Sequence, residues 1–251
     1  MPNYQLPEAP PDEHAPIIEF GLFMDRVFEW KQNQHIGVIG PTEQGKTNLL
    51  YYLLQLREYV AYLGIKSRDL TLEAFAKQGG YQRVYDHPPM VGRVHKKPAT
   101  WDEMPRRLVW PDASNRRLAR AEQVRVFGNC LDEIWGIGCV TVVWDDFWYL
   151  VRILGMELDA KQNLLNARSN DSPQVIAAQR GAGNRMVELI DQPTWLFWAR
   201  ETDPRNLQLL GPASSIRRGF VAHLDRFQFL VENTRTGVMY RTTAPELEIG
   251  S

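Results

Sequence analysis

The sequence predicts an α/β protein: a mostly parallel sheet with helices on both faces, followed by a C-terminal β-hairpin. Short apolar runs alternate with helical patterns along most of the chain, the signature of strand–helix–strand crossovers. The strongest run, Cys139-Val140-Thr141-Val142-Val143-Trp144, is too apolar for an exposed sheet and suits a strand buried on both faces. Finally, Gly40-Pro41-Thr42-Glu43-Gln44-Gly45-Lys46-Thr47 lies between a strand-like and a helix-like run, the junction that a glycine-rich phosphate-binding loop requires.

The first sixteen residues hold five prolines with acids between them. With so little apolar material they are expected to form a flexible proline-rich arm or a strap laid over the surface. A single ordered domain is expected over 17–251. Ile17 to Lys31, rich in Phe, Leu, Met and Trp, suits a helix beside the strand His35–Ile39, and Asn48 to Leu56 continues as the next helix. Tyr59 to Ile65 reads as a strand and Thr71 to Lys77 as a short helix stopped by Gly79-Gly80. Prolines and weak periodicity from Tyr81 to Pro105 predict an irregular connection, part of a basic insertion at about 81–125. Arg107 to Trp110 is a brief strand, and Asn115 to Trp135 a helix. Beyond Trp144 come a helix over Leu158–Ser169, a buried strand over Gln174–Ala178, a short helix over Asn184–Asp191 and a strand over Thr194–Ala199. Asp203-Pro204 supplies an N-cap and a first-turn proline for a helix through Leu210. Arg226–Glu232 and Val238–Thr242 flank Asn233–Gly237 as the hairpin, within about 220–245.

The loop carries specific chemistry. Gly40 and Gly45 let the backbone curl until its N–H groups point inward, and the positive end of the following helix adds to the attraction for phosphate. Gly40, Pro41, Thr42, Glu43, Gln44, Gly45, Lys46, Thr47 and Asn48 are therefore the candidate nucleotide-binding residues. Lys46 would reach the β- and γ-phosphates, and the Thr47 hydroxyl would ligate Mg²⁺. Such a loop needs an acid at the tip of a neighbouring buried strand, and Asp145-Asp146 directly after Trp144 supplies a pair. Asp145 is the candidate metal ligand and Asp146 the candidate group that polarises the attacking water; both also suit a cap on the next element. About a hundred residues separate loop and acids, with a further strand between them in sequence. That spacing predicts a three-layer P-loop NTPase of the additional-strand type. Gln179, after the Gln174–Ala178 strand, is then placed to sense the γ-phosphate.

The stretches Val142–Leu150, Leu165-Asn166-Ala167-Arg168 and Val175-Ile176-Ala177-Ala178-Gln179-Arg180 resemble the FtsK–HerA superfamily of DNA-pumping ATPases over about residues 35–210. In size the chain is similar to the short genome-packaging ATPases of certain viruses within that superfamily. The resemblance implies ATP hydrolysis coupled to movement of double-stranded DNA by a homo-oligomeric ring, a hexamer or pentamer. It implies that Arg168 reaches into a neighbouring subunit's nucleotide site, with Arg180 and Arg200 as weaker candidates. It further implies capsid or portal vertex proteins as partners, and a place in the host cytoplasm or the virion. Asp146 departs from the usual glutamate and is one methylene shorter, which leaves a slowly turning nucleotide-dependent assembly switch as an alternative. A P-loop kinase is another.

The formal net charge is −1, yet charge is unevenly spread. Residues 1–30 carry net −5 and residues 92–125 net +5. A charge run is commonly a solvated face, but a ring lumen collects a few cations from every subunit, and phosphate contacts add through counterion release. Arg93, Lys96, Lys97, Arg106 and Arg107 are the candidate DNA contacts, with Trp101, Lys66 and Arg68 as lesser ones. Trp110, Trp135, Trp144, Trp148, Trp195 and Trp198 are expected in the core. Cys130 and Cys139 are expected as buried free thiols, with neither a disulfide nor a structural metal. No run approaches the roughly eighteen apolar residues of a membrane span and no signal peptide is visible, so a cytoplasmic location is expected.

Overall fold

A computed structural model describes residues 6–66, 69–87, 101, 103–111, 116–179, 192–208, 210 and 215–247, the side chains of 116–118 excepted. The helices are α1 (Phe20–Arg26), α2 (Lys46–Leu54), α3 (Leu70–Gly79), α4 (Arg116–Ile137), α5 (Glu157–Asn166), α6 (Pro204–Gln208) and α7 (Ser215–His223). The strands are β1 (Ile36–Ile39), β2 (Val60–Leu63), β3 (Gln82–Val84), β4 (Arg106–Val109), β5 (Thr141–Trp144), β6 (Gln174–Ala178), β7 (Trp195–Ala199), β8 (Gln228–Asn233) and β9 (Met239–Thr243). Together they form a mixed, mostly parallel sheet of nine strands, the α/β class expected. The chain divides into two compact units.

One unit comprises Met1–Trp30, Ile36–Leu49 and Ala178–Glu246. In it β1 runs parallel to β7, with Val38 opposite Phe197, and β7, β8 and β9 follow as an antiparallel ribbon. Every residue of β1 and β7 is buried. Because successive side chains point to opposite faces, both faces are covered there. Phe23 and Phe28 pack on Trp195 and Phe197 with ring centroids 5.2 to 6.3 Å apart. The expected helix over 17–31 shrinks to α1 for two reasons. Ile17 is drawn into a β-bridge with Arg241, and Glu19 caps the helix by accepting from Gly21 and Leu22 N–H. Before it, residues 8–16 lie along the fold: Arg241 donates to Ala15 O and to Asp12, and a Cβ on Gly219 would come within 2.5 Å of Glu8 O. Helix α7 was not expected, although Ile216, Phe220 and Leu224 repeat at intervals of four residues.

The other unit comprises Lys31–His35, Leu50–Ala177 and Leu247–Ser251. Its strands are all parallel, in the order β3-β4-β2-β5-β6. Every residue of β2, β5 and β6 is buried. The edge strand β3 falls where an irregular connection was expected, and Arg83 lies over the rings of Tyr85 and Trp110 just beyond it. Helix α3 ends as predicted, its cap Gly80 in the left-handed conformation at φ +70°. Helix α4 matches its expected span within two residues. After β5 the chain makes a π-helical stretch, Tyr149–Ile153, that the sequence did not announce. The helix expected over Asn184–Asp191 lies outside the described residues.

Candidate phosphate-binding site

Strand β1 delivers the chain to Gly40, whose N–H donates to Ala178 O at 3.0 Å. A Cβ at Gly40 would stand 2.5 Å from the Ala199 Cβ, so only glycine lets the loop pass this close to the end of β7. Glu43 at φ +64° and Gly45 at φ +83° then turn the backbone left-handed twice, the curvature that aims successive N–H groups into one concavity. Lys46 folds back across the rim and donates from Nζ to Gly40 O at 2.7 Å and Pro41 O at 2.6 Å. Thr47 and Asn48 lie in the first turn of α2, where backbone N–H groups lack intrahelical acceptors. Gln179 directly follows the carbonyl that holds Gly40 and is half-buried, so loop and sensor candidate are neighbours within one unit. Arg200, after β7, is exposed.

Asp145 and Asp146 belong to the other unit and leave the end of β5 half-buried. Asp146 sits at φ +49°. Its carbonyl accepts from Tyr149 N–H at 2.9 Å and its carboxylate from the same group at 3.4 Å, so it also serves as a cap for the π-helical stretch. Tyr62, on the adjacent strand, is completely buried beside Asp145. Burial first, then the negative charge of Asp145, raises the Tyr62 phenol well above its usual range. Lys66 lies beyond the same strand. Burial works to lower its pKa, but the hydrogen bond to Asp69 at 2.7 Å and the charges of Asp69, Asp145 and Asp146 outweigh it and raise the ammonium. The loop after β2 is fixed by Gln123, which donates to Ile65 O at 3.0 Å, and by the Trp110 indole, which donates to Lys66 O. Tyr149 in turn donates its hydroxyl to Gln123, tying that loop to the turn carrying the acids.

Arg168 stands elsewhere. It is exposed, just past α5 and ahead of the entry to β6. Because β5 and β6 are parallel, Arg168 lies at the strand-entry edge of its unit while Asp145 lies at the exit edge. It therefore does not meet the acid pair of its own chain. Near it, His35 is buried and its Nδ1 accepts from Gln174 N–H at 3.1 Å. Burial, aided by the charge of Arg168, pushes this imidazole down to about 4.

Among the candidate DNA contacts, Arg93, Lys96 and Lys97 lie outside the described residues, as do Arg68 and Arg180. Arg106 is half-buried and donates to Gln55, Gly79 O and Arg57 O. Arg107 is buried, 3.5 Å from Glu133 and stacked 3.7 Å from the ring centroid of Trp101. Trp101, expected in an exposed loop, is instead fully buried and donates to Glu133 at 2.8 Å. His87 completes the cluster, 2.8 Å from Glu133. Burial opposes its charging, but the adjoining Cys130 and Glu133 outweigh that and push it up to about 10. Arg125 on α4 is paired with Asp86 and Glu122. Three further expectations are corrected. Cys139 is exposed because it occupies a left-handed turn ahead of β5, and Trp135 and Trp148 are each about half exposed.

No family model matches the sequence, and neither does any curated protein. Solved structures do. The DNA-packaging ATPase B204 of Sulfolobus turreted icosahedral virus aligns over 86% of this chain and 100% of its own, with a TM-score of 0.56 at 12% identity. The genome-packaging NTPase B204 of Sulfolobus turreted icosahedral virus 2, in complex with AMPPCP, covers the same shares with a TM-score of 0.52 at 13% identity. The chain has the fold of FtsK–HerA-type P-loop ATPases. ATPases 2 and 3 of the secretion protein EccC from Thermomonospora curvata also share this P-loop ATPase fold, over 85% of this chain and 37% of theirs, with a TM-score of 0.53 at 15% identity.

Proposed function

We propose that this chain hydrolyses ATP and uses the energy to move double-stranded DNA, as a subunit of a ring that packages a viral genome. The observation that carries the reading is the loop itself: glycines where Ala199 and Phe227 leave no room, left-handed turns that aim N–H groups into one concavity, and Lys46 folded back over the rim onto Gly40 O and Pro41 O. The likeness to packaging ATPases supports the cargo. Lys46 exchanges its carbonyl partners for phosphate oxygens, a stronger, charge-assisted bond. Asp146 accepts the proton side of the attacking water and Gln179 reads the γ-phosphate, so that catalysis is mainly positioning and charge stabilisation. Thr47 and Asp145 fit Mg²⁺, since hydroxyl and carboxylate are hard oxygen donors and this ion takes few protein ligands beside the phosphates. Bound there, the ion neutralises charge on the phosphates. Arg168, exposed and remote from its own acid pair, supplies positive charge to the site of a neighbouring copy, which makes hydrolysis depend on ring assembly. Capsid or portal vertex proteins then anchor the ring, in the host cytoplasm or the virion; no described helix is long and apolar enough to cross a membrane.

The test is the ATPase rate with and without double-stranded DNA at low and moderate salt. Stimulation that fades with salt supports a motor; a rate indifferent to DNA defeats it. Mixing Arg168→Ala with Lys46→Ala subunits should restore some activity, because mixed rings contain intact composite sites. Rings that form without restoration refute the role across an interface. A slow nucleotide-controlled switch is the second reading, favoured by the Asp146 carboxylate being turned toward Tyr149 N–H.

A further inference from the structure

Phe227, just ahead of β8, adopts φ +64°. A bulky side chain is an outlier there and persists only where its surroundings hold it. They do so here: Ala244 N–H donates to Phe227 O at 3.0 Å, Gln228 N–H to Asp225 O at 3.2 Å, and Asp225 N–H to the Gln228 side chain at 3.3 Å. The result is the placement of one ring. A Cβ built on Gly45 would lie 2.3 Å from Phe227 Cδ1, so the ring edge abuts the phosphate loop one residue before Lys46. The ring is half-buried, and the exposed Arg226 carries its guanidinium carbon 4.5 Å from the ring centroid. Loop, ring and guanidinium all belong to one unit.

A flat π-face with a planar cation over it, set against backbone that binds phosphate, matches the group to which such phosphates are attached. Nucleobases stack on aromatic rings and on guanidinium planes. We propose that Phe227 and Arg226 form the base platform of the nucleotide site and make it select purine nucleoside triphosphates, whose larger π-face stacks more fully on the ring than a pyrimidine does. This rests on the reading of residues 40–47 as a triphosphate loop. Arg226, at the surface, lifts to admit the base and closes over it. The strained turn is then a means of aiming the ring, and Gly45 remains glycine both for its own φ and for the space the ring takes.

The competing role is a wedge that only shapes the loop, and calorimetric titration separates the two. Binding of ATP, UTP and inorganic tripolyphosphate is compared in the full chain, in Phe227→Gly, which suits the left-handed φ and removes the ring, and in Phe227→Trp. The platform predicts that Phe227→Gly weakens ATP about tenfold, the loss of one base–aromatic stack, and leaves tripolyphosphate unchanged. It also predicts that Phe227→Trp retains ATP affinity and that the unaltered chain prefers ATP to UTP. Equal weakening of ATP and tripolyphosphate would establish the wedge and overturn the platform; unchanged binding of both would overturn the platform and the wedge alike. If the unaltered chain binds tripolyphosphate as tightly as ATP, the platform fails while the phosphate loop stands; if it binds neither, both readings fall.

Discussion

The loop at 40–47 and the cluster around Glu133 both gather positive hydrogen-bond donors, by opposite means. In the loop, backbone curvature does the gathering, and the Lys46 ammonium rests on the neutral carbonyls of Gly40 and Pro41. In the cluster, a buried carboxylate does it: Glu133 faces His87 at 2.8 Å and Arg107 at 3.5 Å, and accepts from the Trp101 indole at 2.8 Å. Donors on neutral acceptors exchange readily for a phosphate, whereas charge-assisted bonds to a buried carboxylate are costly to break. Lys46 is the cation we propose for a ligand, whereas the cations around Glu133 hold the fold together.

If this contrast is right, Lys46→Ala removes function and spares stability. Phosphate release should fall about a thousandfold, roughly 4 kcal/mol of transition-state stabilisation, with an unchanged urea midpoint. Normal turnover would break the comparison on the loop's side. Glu133→Gln should do the reverse. Leaving His87 and Arg107 without their counter-charge should cost about 3 kcal/mol in urea unfolding, while nucleotide affinity below the transition stays as it was.

The buried imidazoles sharpen the contrast through pH. His35 is held down to about 4, so the unfolded chain takes up a proton near the ordinary 6.5 that the folded chain refuses. Stability from this group is present at neutral pH and lost as pH falls, by about 2 kcal/mol between pH 6.5 and 5. His87 is pushed up to about 10, and its contribution is whole below 6.5 and lost as pH rises toward 10. Thermal melts across pH 5 to 10 should narrow at both ends, and His35→Gln should flatten only the acid limb. The smallest effect is expected where charge counting alone would place a large one. Arg107→Gln, which removes the charge, should leave the salt dependence of DNA binding within about half a unit of slope, because a group facing Glu133 and Trp101 releases no counterion from DNA. A loss of about one unit would put Arg107 on a phosphate.

Much of this architecture is legible in the amino-acid order. The loop, its flanking strand and helix, the buried strand just before Asp145, the N-cap at Asp203 and the terminal hairpin all follow from neighbours along the chain, because turns, caps and alternation are set within a few residues. Asp203 does accept from Arg205 N–H at 2.8 Å, and β8 and β9 pair as the Asn233–Gly237 loop predicts. The failures have a common cause. Ile17–Lys31 looks helical, but Ile17 is claimed by Arg241 far along the chain. Trp101 looks exposed in a basic segment, but its indole finds Glu133. Cys139 looks apolar and buried, but it falls on the turn before its strand begins.

The amino-acid order alone therefore determined the α/β class and the strand–loop–helix around residues 40–47, and it ordered the candidate residues Lys46, Thr47, Asp145, Asp146 and Gln179 along the chain. It could not say which cations face solvent, that Phe227 presses on Gly45, that Tyr62 is buried beside Asp145, or that Arg168 stands at the opposite edge from the acids of its own unit. Backbone conformation is encoded by adjacent residues. The partner of a charge or a ring is whichever distant residue the packing brings to it, and folding chooses that partner by burial and shape.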